Sequence, residues 1–221
     1  MARIKGTNTF HYRILVVDDE ESIRTAAEAI LKSQGYEVRC AVDGFDGLTV
    51  LKQSLPDVII SDLGMPNMNG FEFLSVVRKR FPHIAVVAIS GDFSGVDVPE
   101  SVLADAFFEK GQYSLEALFE KIADLLEELP IRPRVGRLPK PTVWVPLRTD
   151  ANYIAVTCSS CLRTFPAPIP LSEGMHLAEC DFCGTAVSFQ ITADFSELTA
   201  RRRKETETRE RNLSSKIDRS A

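Results

Sequence analysis

Short apolar, β-branched runs punctuate the first 128 residues, and longer stretches of helical period separate them. The runs are Ile14-Leu15-Val16-Val17, Val38-Arg39-Cys40-Ala41-Val42, Val58-Ile59-Ile60, Ile84-Ala85-Val86-Val87-Ala88-Ile89 and Ala106-Phe107-Phe108. Mostly continuous apolar runs of this length are what strands buried on both faces of a parallel sheet look like. Between them, Ile23, Ala26, Ala27, Ile30 and Leu31 recur at helical spacing over residues 22–34, and Gly35 follows as a C′ residue would. Further helices are expected near 44–54 and 70–80. One more, over about 113–128, sets Leu115, Leu118, Phe119, Ile122, Leu125 and Leu126 on one face. Five alternations of strand and helix predict an α/β domain with a doubly wound parallel sheet over residues 12–129, after an extension of residues 1–11.

The periodicity then stops. Pro130, Pro133, Pro139, Pro141 and Pro146 make residues 130–149 an extended, semi-rigid spacer, and Arg132, Arg134, Arg137 and Lys140 make it basic. Trp144, the only tryptophan, either starts the packing of a second domain or docks on the first. Residues 152–157 and 185–191 read as strands of that small β domain, over 150–193, with a core of its own. From 194 to 221 the chain is charged. Glu205–Arg209 and Glu207–Arg211 are i,i+4 pairs in the favourable orientation, and this tail is expected to be a solvated helix or disordered.

The polar residues that end the apolar runs carry the chemistry. Asp18 and Asp19 follow the first run, Asp62 the third, Ser90 the fourth and Lys110 the fifth. In open α/β sheets ligands bind beyond the carboxyl ends of strands, where strand order reverses, so these side chains should share one crevice. Three clustered carboxylates repel one another unless a cation neutralises them. Hard oxygen ligands of this kind suit Mg²⁺. A lysine and a serine facing such a site make sense when an anion arrives between them. Phosphoryl transfer needs that arrangement, and a carboxylate can itself be the acceptor. Asp62, alone at the end of its strand, is the candidate acceptor. The bland alternative is that each acid merely caps a turn or the first helix.

Several features occur in one order and one strand context: Val16-Val17-Asp18-Asp19-Glu20, then Asp62 with Met65-Pro66 and Gly70 after it, then Ser90-Gly91, then Ala104-Asp105-Ala106-Phe107-Phe108-Glu109-Lys110. Through them residues 12–128 resemble the receiver domain of two-component response regulators. The resemblance implies a flavodoxin-like, five-stranded parallel sheet. It implies Mg²⁺ held by Asp19 and Asp62, by Asp18 partly through water, and by the Gly64 backbone carbonyl. It makes Asp62 the phospho-acceptor, gives Ser90 and Lys110 contacts to the phosphoryl oxygens, and places Phe107 at the family's switch-aromatic position. Two departures stand out. Gly111 follows Lys110 where the family usually has proline, and the interval from Ser90 to Lys110, through a fourth helix carrying Gly95 and Pro99, is slightly short.

Cys158-Ser159-Ser160-Cys161 and Cys180-Asp181-Phe182-Cys183 form a second motif, two CxxC knuckles separated by 18 residues. Four thiolates at this spacing read as a closed tetrahedral zinc site. The segment resembles a zinc ribbon, a fold shared by unrelated proteins, so the resemblance implies a structure and no function. A redox dithiol pair or two disulfides are the alternatives, which a cytosolic setting disfavours. A closed site leaves no position for zinc hydrolysis. His176 is expected to be a surface histidine and not a ligand. Gly184 suits a tight turn after the second knuckle, whereas Leu162, in the same place after the first, lacks that freedom. The remaining cysteine, Cys40, reads as a small core residue.

Charge refines this picture. The net charge is −5 overall, but −9 over residues 1–129, +4 over 130–150, −4 over 151–200 and +4 over 201–221. Nucleic-acid binding needs phosphate neutralisation, and the cysteine-bearing segment has only Arg163 to offer, so such a contact would come from its flanks. No run approaches the ~18 apolar residues of a membrane span, and the N-terminus lacks an apolar leader, so a cytoplasmic location is expected. The reading is a phosphorylation-dependent signalling switch and not an enzyme beyond its own phosphorylation and dephosphorylation. It would receive a phosphoryl group from a sensor histidine kinase or phosphotransfer protein, and act on a partner, a protein in preference to nucleic acid, through the zinc ribbon. The alternatives are a DNA-binding transcription regulator using the basic linker and tail, without a visible helix-turn-helix, and a scaffold or adaptor. A haloacid-dehalogenase-type enzyme fits less well, because adjacent Asp18-Asp19 is not its Asp-x-Asp motif.

Overall fold

The computed structural model describes residues 11–91, 103–128, 142–146, 153–169 and 174–192. The expected fourth helix, most of the spacer, the extension up to residue 10 and the charged tail lie outside these residues.

The five apolar runs form β1 (Arg13–Val17), β2 (Glu37–Ala41), β3 (Val58–Asp62), β4 (Ala85–Ser90) and β5 (Ala106–Glu109). They make one parallel sheet in the order β2-β1-β3-β4-β5, the flavodoxin-like arrangement. Alternate residues point to opposite faces. Leu15, Val17 and Ile59 pack with Leu48 of α2 (Gly44–Gln53) and Phe73 of α3 (Gly70–Arg80). Ile14, Val16 and Val58 pack with Leu31 of α1 (Glu21–Ser33) and Ile122 of α4 (Leu115–Glu128). The strands are therefore apolar at successive positions because both faces are covered.

The helix starts are set by side chains. Asp43 accepts a hydrogen bond from Asp46 N–H at the start of α2. Asn69 and Glu72 form a reciprocal capping box at the start of α3. Neither Asp18 nor Asp19 caps α1, whose N-cap is Glu20 without a side-chain bond. Gly35 closes α1 at φ 89, as expected.

The C-terminal part holds β6 (Val143–Pro146), β7 (Tyr153–Thr157), β8 (Thr164–Pro168), β9 (Met175–Glu179) and β10 (Ala186–Thr192). β6, β10 and β9 form one sheet in that order, and β7 and β8 form an antiparallel hairpin. Three features differ from expectation. First, β6 lies inside the segment read as spacer, and it pairs in parallel with β10, Val143 opposite Phe189. Its proline, Pro146, ends an edge strand, where a missing N–H costs nothing. Second, His176 is half-buried with its ring 5.6 Å from that of Phe189, and its Nε2 has no partner among the described residues.

Third, the two domains do not have separate cores. α3 is buried from Gly70 to Val77, including Glu72 and Ser75. A helix buried along this much of its length needs cover beyond its own sheet, and β6 supplies part of it. Val143 and Val145 join the cluster that contains Phe73, Val76 and Val77, and the same cluster continues to Phe189, Cys158 and Cys180. Trp144 N–H donates to Ser75 Oγ at 3.1 Å. Lys79 Nζ donates to the Ser188 carbonyl at 3.1 Å and to Ser188 Oγ at 2.7 Å. Trp144 therefore both begins the second domain's packing and docks on the first. Among the described residues no helix is long and apolar enough to cross a membrane.

Candidate functional site

At the carboxyl end of the parallel sheet, Asp18 and Asp19 follow β1 while Asp62 ends β3. Carboxylate oxygens from all three lie within 4.8 Å of one another. Asp18 and Asp62 are buried, 5% and 7% exposed, whereas Asp19 is exposed. Each buried carboxylate is tied down. Asp18 Oδ1 accepts from Glu20 N–H at 2.8 Å, and Asp62 Oδ1 accepts from Gly64 N–H at 3.1 Å. Arg24 of α1 reaches back to the Asp18 carbonyl at 2.7 Å.

Lys110, one residue past β5, enters from the other side. Its Nζ donates to Asp62 Oδ2 at 2.9 Å and to Asp18 Oδ2 at 3.2 Å. Burial works against the ammonium, but the hydrogen bond and charge of Asp62, and then Asp18, outweigh it and raise the Lys110 pKa. Burial raises the pKa of Asp18, against the lowering effects of the Glu20 N–H and Lys110. The opposed charges are therefore paired across strands and not merely near one another.

Local backbone explains the placement. The Lys110 N–H donates to the Ser90 carbonyl at 2.8 Å, which fastens β5 to the end of β4. Gln112 N–H returns to the Glu109 carbonyl at 3.0 Å, and Gly111 between them has φ 81. Positive φ at the third position is what a type II turn needs, so glycine here is a conformational requirement. The departure from proline thus serves a turn that presents Lys110 to the two aspartates. Ser90 ends β4, with its side chain buried. Phe107 pairs with Ala88 and packs on the α2–α3 side of the sheet. The Gly64 N–H, a role with no signal in the sequence, holds the central carboxylate. Beside Asp18 and Asp62 a cavity of about 170 Å³ runs between α1 and α4, with Ile23, Tyr113 and Phe119 in its wall.

Gly70, the first residue of α3, lies against the back of this pocket. A Cβ there would stand closer to the Asp62 carbonyl oxygen than a non-bonded carbon can, and 2.7 Å from Leu63 Cα. Gly70 N–H donates to the Leu63 carbonyl at 3.1 Å. The helix start and the acidic strand end are thus in direct backbone contact.

The four cysteines converge at the second site. None is in a disulfide. Cys158 and Cys183 sulfurs are 3.7 Å apart, as are those of Cys161 and Cys180, and all four lie within 4.8 Å. A tetrahedral zinc with Zn–S near 2.3 Å has sulfur–sulfur edges of about 3.8 Å, so the donor set fits. The two knuckles repeat one backbone design. Cys158 N–H bonds the Arg163 carbonyl and Leu162 N–H the Cys158 carbonyl. Cys180 N–H bonds the Thr185 carbonyl and Gly184 N–H the Cys180 carbonyl. Leu162 has φ 57 and Gly184 φ 68. Leu162 is buried, and burying a leucine contributes ~1.5–3 kcal/mol against ~1–2 kcal/mol for left-handed backbone. The freedom that leucine lacks is therefore offset by packing. Burial pushes the Cys158 thiol up to about 12, while the Thr185 hydroxyl and N–H bring Cys183 down to about 6.

A five-stranded 2-1-3-4-5 sheet with paired aspartates, a lysine and a serine at its carboxyl edge defines a receiver-type signalling domain and no classical enzyme site. A profile of the response regulator receiver domain matches residues 14–122, and this part of the chain belongs to that family. The transcriptional regulatory protein AfsQ1 of Streptomyces coelicolor is 36% identical over 85 residues, which are 38% of this chain and 38% of that protein. The chain thus matches little more than a third of that relative's length. A CheY-like receiver domain protein from Methanospirillum hungatei is similar in structure, with 28% identity and a TM-score of 0.52, covering 56% of this chain and all of that one. NtrX from Brucella abortus is similar at 28% identity and a TM-score of 0.50, covering 55% of this chain and 29% of that one. The C-terminal module lies beyond the matched family range.

Proposed function

We propose that this chain is a response regulator of a two-component phosphorelay, phosphorylated on Asp62 with Mg²⁺. The observation that carries the reading is the Asp62 carboxylate itself. It is buried at a strand end, with one oxygen held by Gly64 N–H and the other by Lys110, beside Asp18 and Asp19. Asp18, Asp19, Asp62 and the Gly64 carbonyl would hold Mg²⁺, which when bound neutralises the carboxylates and the incoming phosphoryl oxygens. An Asp62 oxygen attacks phosphorus as the bond to the donor histidine nitrogen breaks, the donor being a histidine kinase or phosphotransfer protein. Lys110 then exchanges its carboxylate partners for a phosphoryl oxygen, Ser90 donates its hydroxyl to another, and Phe107 repacks. Adding charge at one point of a two-state element shifts its equilibrium.

Cys158, Cys161, Cys180 and Cys183 would hold one zinc, whose chemistry there is structural cross-linking of two small sheets. The module acts on a protein partner. Its one basic residue between 151 and 200, Arg163, is stacked over the Phe182 ring at 5.1 Å, which leaves little to neutralise a phosphate backbone.

Treatment with a small-molecule phosphodonor and Mg²⁺, followed by mass spectrometry, tests the acceptor. One labile adduct is expected in the wild type and none in Asp62→Asn. An undiminished adduct in the variant would refute the assignment.

A further inference from the structure

We infer that the C-terminal module completes the receiver: docked along α3, it braces the helix that backs Asp62, so loss of metal from the four cysteines weakens phosphoryl-analogue binding at the acidic pocket. The inference rests on the reading of both sites given above and adds the link between them.

The link is a continuous set of contacts. α3 begins at Gly70, whose backbone leaves no room for even a methyl group against Asp62 and Leu63. Its capping box holds that first turn in place. Further along, Ser75 takes the Trp144 N–H, and Lys79 takes two acceptors on Ser188. Ser75 is 1% exposed, so its hydroxyl is a buried group that the module satisfies along with Glu72 O. The apolar cluster runs from Phe73 through Val143 and Phe189 to Cys158 and Cys180, two of the four metal-site sulfurs. Among the described residues β6 is the element that α3 meets most extensively. Without metal, the cross-link between the two knuckles is lost at Cys158 and Cys180, which sit inside the shared cluster. The module loosens, β6 leaves α3, and the helix loses the cover that its apolar outer face requires. The pocket then holds its ligands on a less preorganised wall. By linkage the effect is reciprocal, so an occupied pocket tightens metal binding at the four cysteines by the same factor.

Trp144 is the only tryptophan in the chain, and its half-buried side chain packs against the cluster shared by both domains, so its accessibility to acrylamide reports docking. The test uses the full chain, zinc-loaded or stripped with a zinc chelator and returned to Mg²⁺. Beryllofluoride binding is titrated by ¹⁹F NMR, and Trp144 quenching is measured on the same samples. Stripping should raise Trp144 quenching and weaken beryllofluoride binding about 5-fold or more, the lower end of coupling between distinct sites. Lys79→Met keeps the aliphatic stem and loses both bonds to Ser188; with zinc bound it should shift both readouts in the same direction, and Ser75→Ala should do likewise. Unchanged affinity after stripping, or a Trp144 that stays protected, overturns the inference alone. A zinc-loaded chain with no bound ¹⁹F signal removes the phospho-acceptor reading with it. A chain whose four cysteines take up no zinc removes the metal reading with it.

Discussion

In the receiver, Asp18 and Asp62 stand at the ends of strands whose positions are set elsewhere, by two apolar layers that include Phe73 on one side and Ile122 on the other. In the C-terminal module, Cys158 and Cys180 are themselves core residues, 0% and 1% exposed, inside the same apolar cluster as Val156, Phe165 and Phe189. One site is a functional edge added to a finished core. The other is built into the core itself. The charges are also handled differently. Lys110 already offsets part of the charge of Asp18 and Asp62 within the protein, whereas at the second site burial raises the pKa of the Cys158 thiol and no ammonium is paired with it among the described residues. Metal should therefore be optional for folding at the first site and required at the second.

Removing one sulfur breaks the comparison most severely. Structural zinc supplies apparent folding free energy of ~10–16 kcal/mol in small zinc domains at neutral pH. Cys158→Ser should drop the metal content from about one zinc per chain to near none, with loss of β signal in circular dichroism and a lowered melting temperature for the whole chain. A variant that keeps one zinc, or that melts like the wild type, would show that the C-terminal sheets stand without the metal.

The contrast also explains what was legible in the sequence. The receiver strands were readable because burial on both faces leaves runs such as Val86-Val87 with no polar interruption. The site followed because its residues end those runs. β8 was hidden by Pro166 and Pro168, which a hairpin strand paired on one side only can accept. β6 was hidden by the prolines around it. β9 reads Met-His-Leu-Ala-Glu, with Met175 and Leu177 exposed, so the apolar rule pointed the wrong way. At the seam Trp144 was the one signal, and the α3 side had none. Ser75 and Lys79 look like ordinary polar positions on a surface helix; Ser75 meets a strand from about 70 residues later, and half-buried Lys79 meets Ser188, 109 residues on.

Lys110→Ala probes the first half of the comparison with a smaller expected effect. It leaves Asp18 and Asp62 facing each other uncompensated. Breaking a fully buried pair costs ~3–5 kcal/mol. Because the Lys110 side chain is 30% exposed, water screens part of this, and ~1–3 kcal/mol is the reasonable expectation. The distinguishing feature is rescue. Millimolar Mg²⁺ should restore more stability to the variant than to the wild type, since a divalent ion replaces the lost charge. Denaturant unfolding with and without Mg²⁺ checks this, and a variant as stable as the wild type without Mg²⁺ would mean that Lys110 is not the counter-ion.

The finest comparison is between the two knuckles, where one backbone design is filled by Leu162 and by Gly184. Both have left-handed φ, 57 and 68, and both donate to the carbonyl of the first cysteine of their knuckle. Gly184→Ala has room, with Glu179 Oε1 at 3.7 Å as the nearest atom to the new Cβ, so only the backbone cost of ~1 kcal/mol should appear. Leu162→Gly relieves a similar cost but gives up ~1.5–3 kcal/mol of burial, and a net loss of ~1 kcal/mol is expected. A loss of that size corresponds to about a fivefold weaker hold on zinc, measurable by competition with a chelator. The two variants should therefore weaken zinc binding by similar amounts for opposite reasons. If Leu162→Gly instead tightens zinc binding, backbone strain outweighs packing at the first knuckle, and Leu162 is retained for its contact with the shared core and not for the metal.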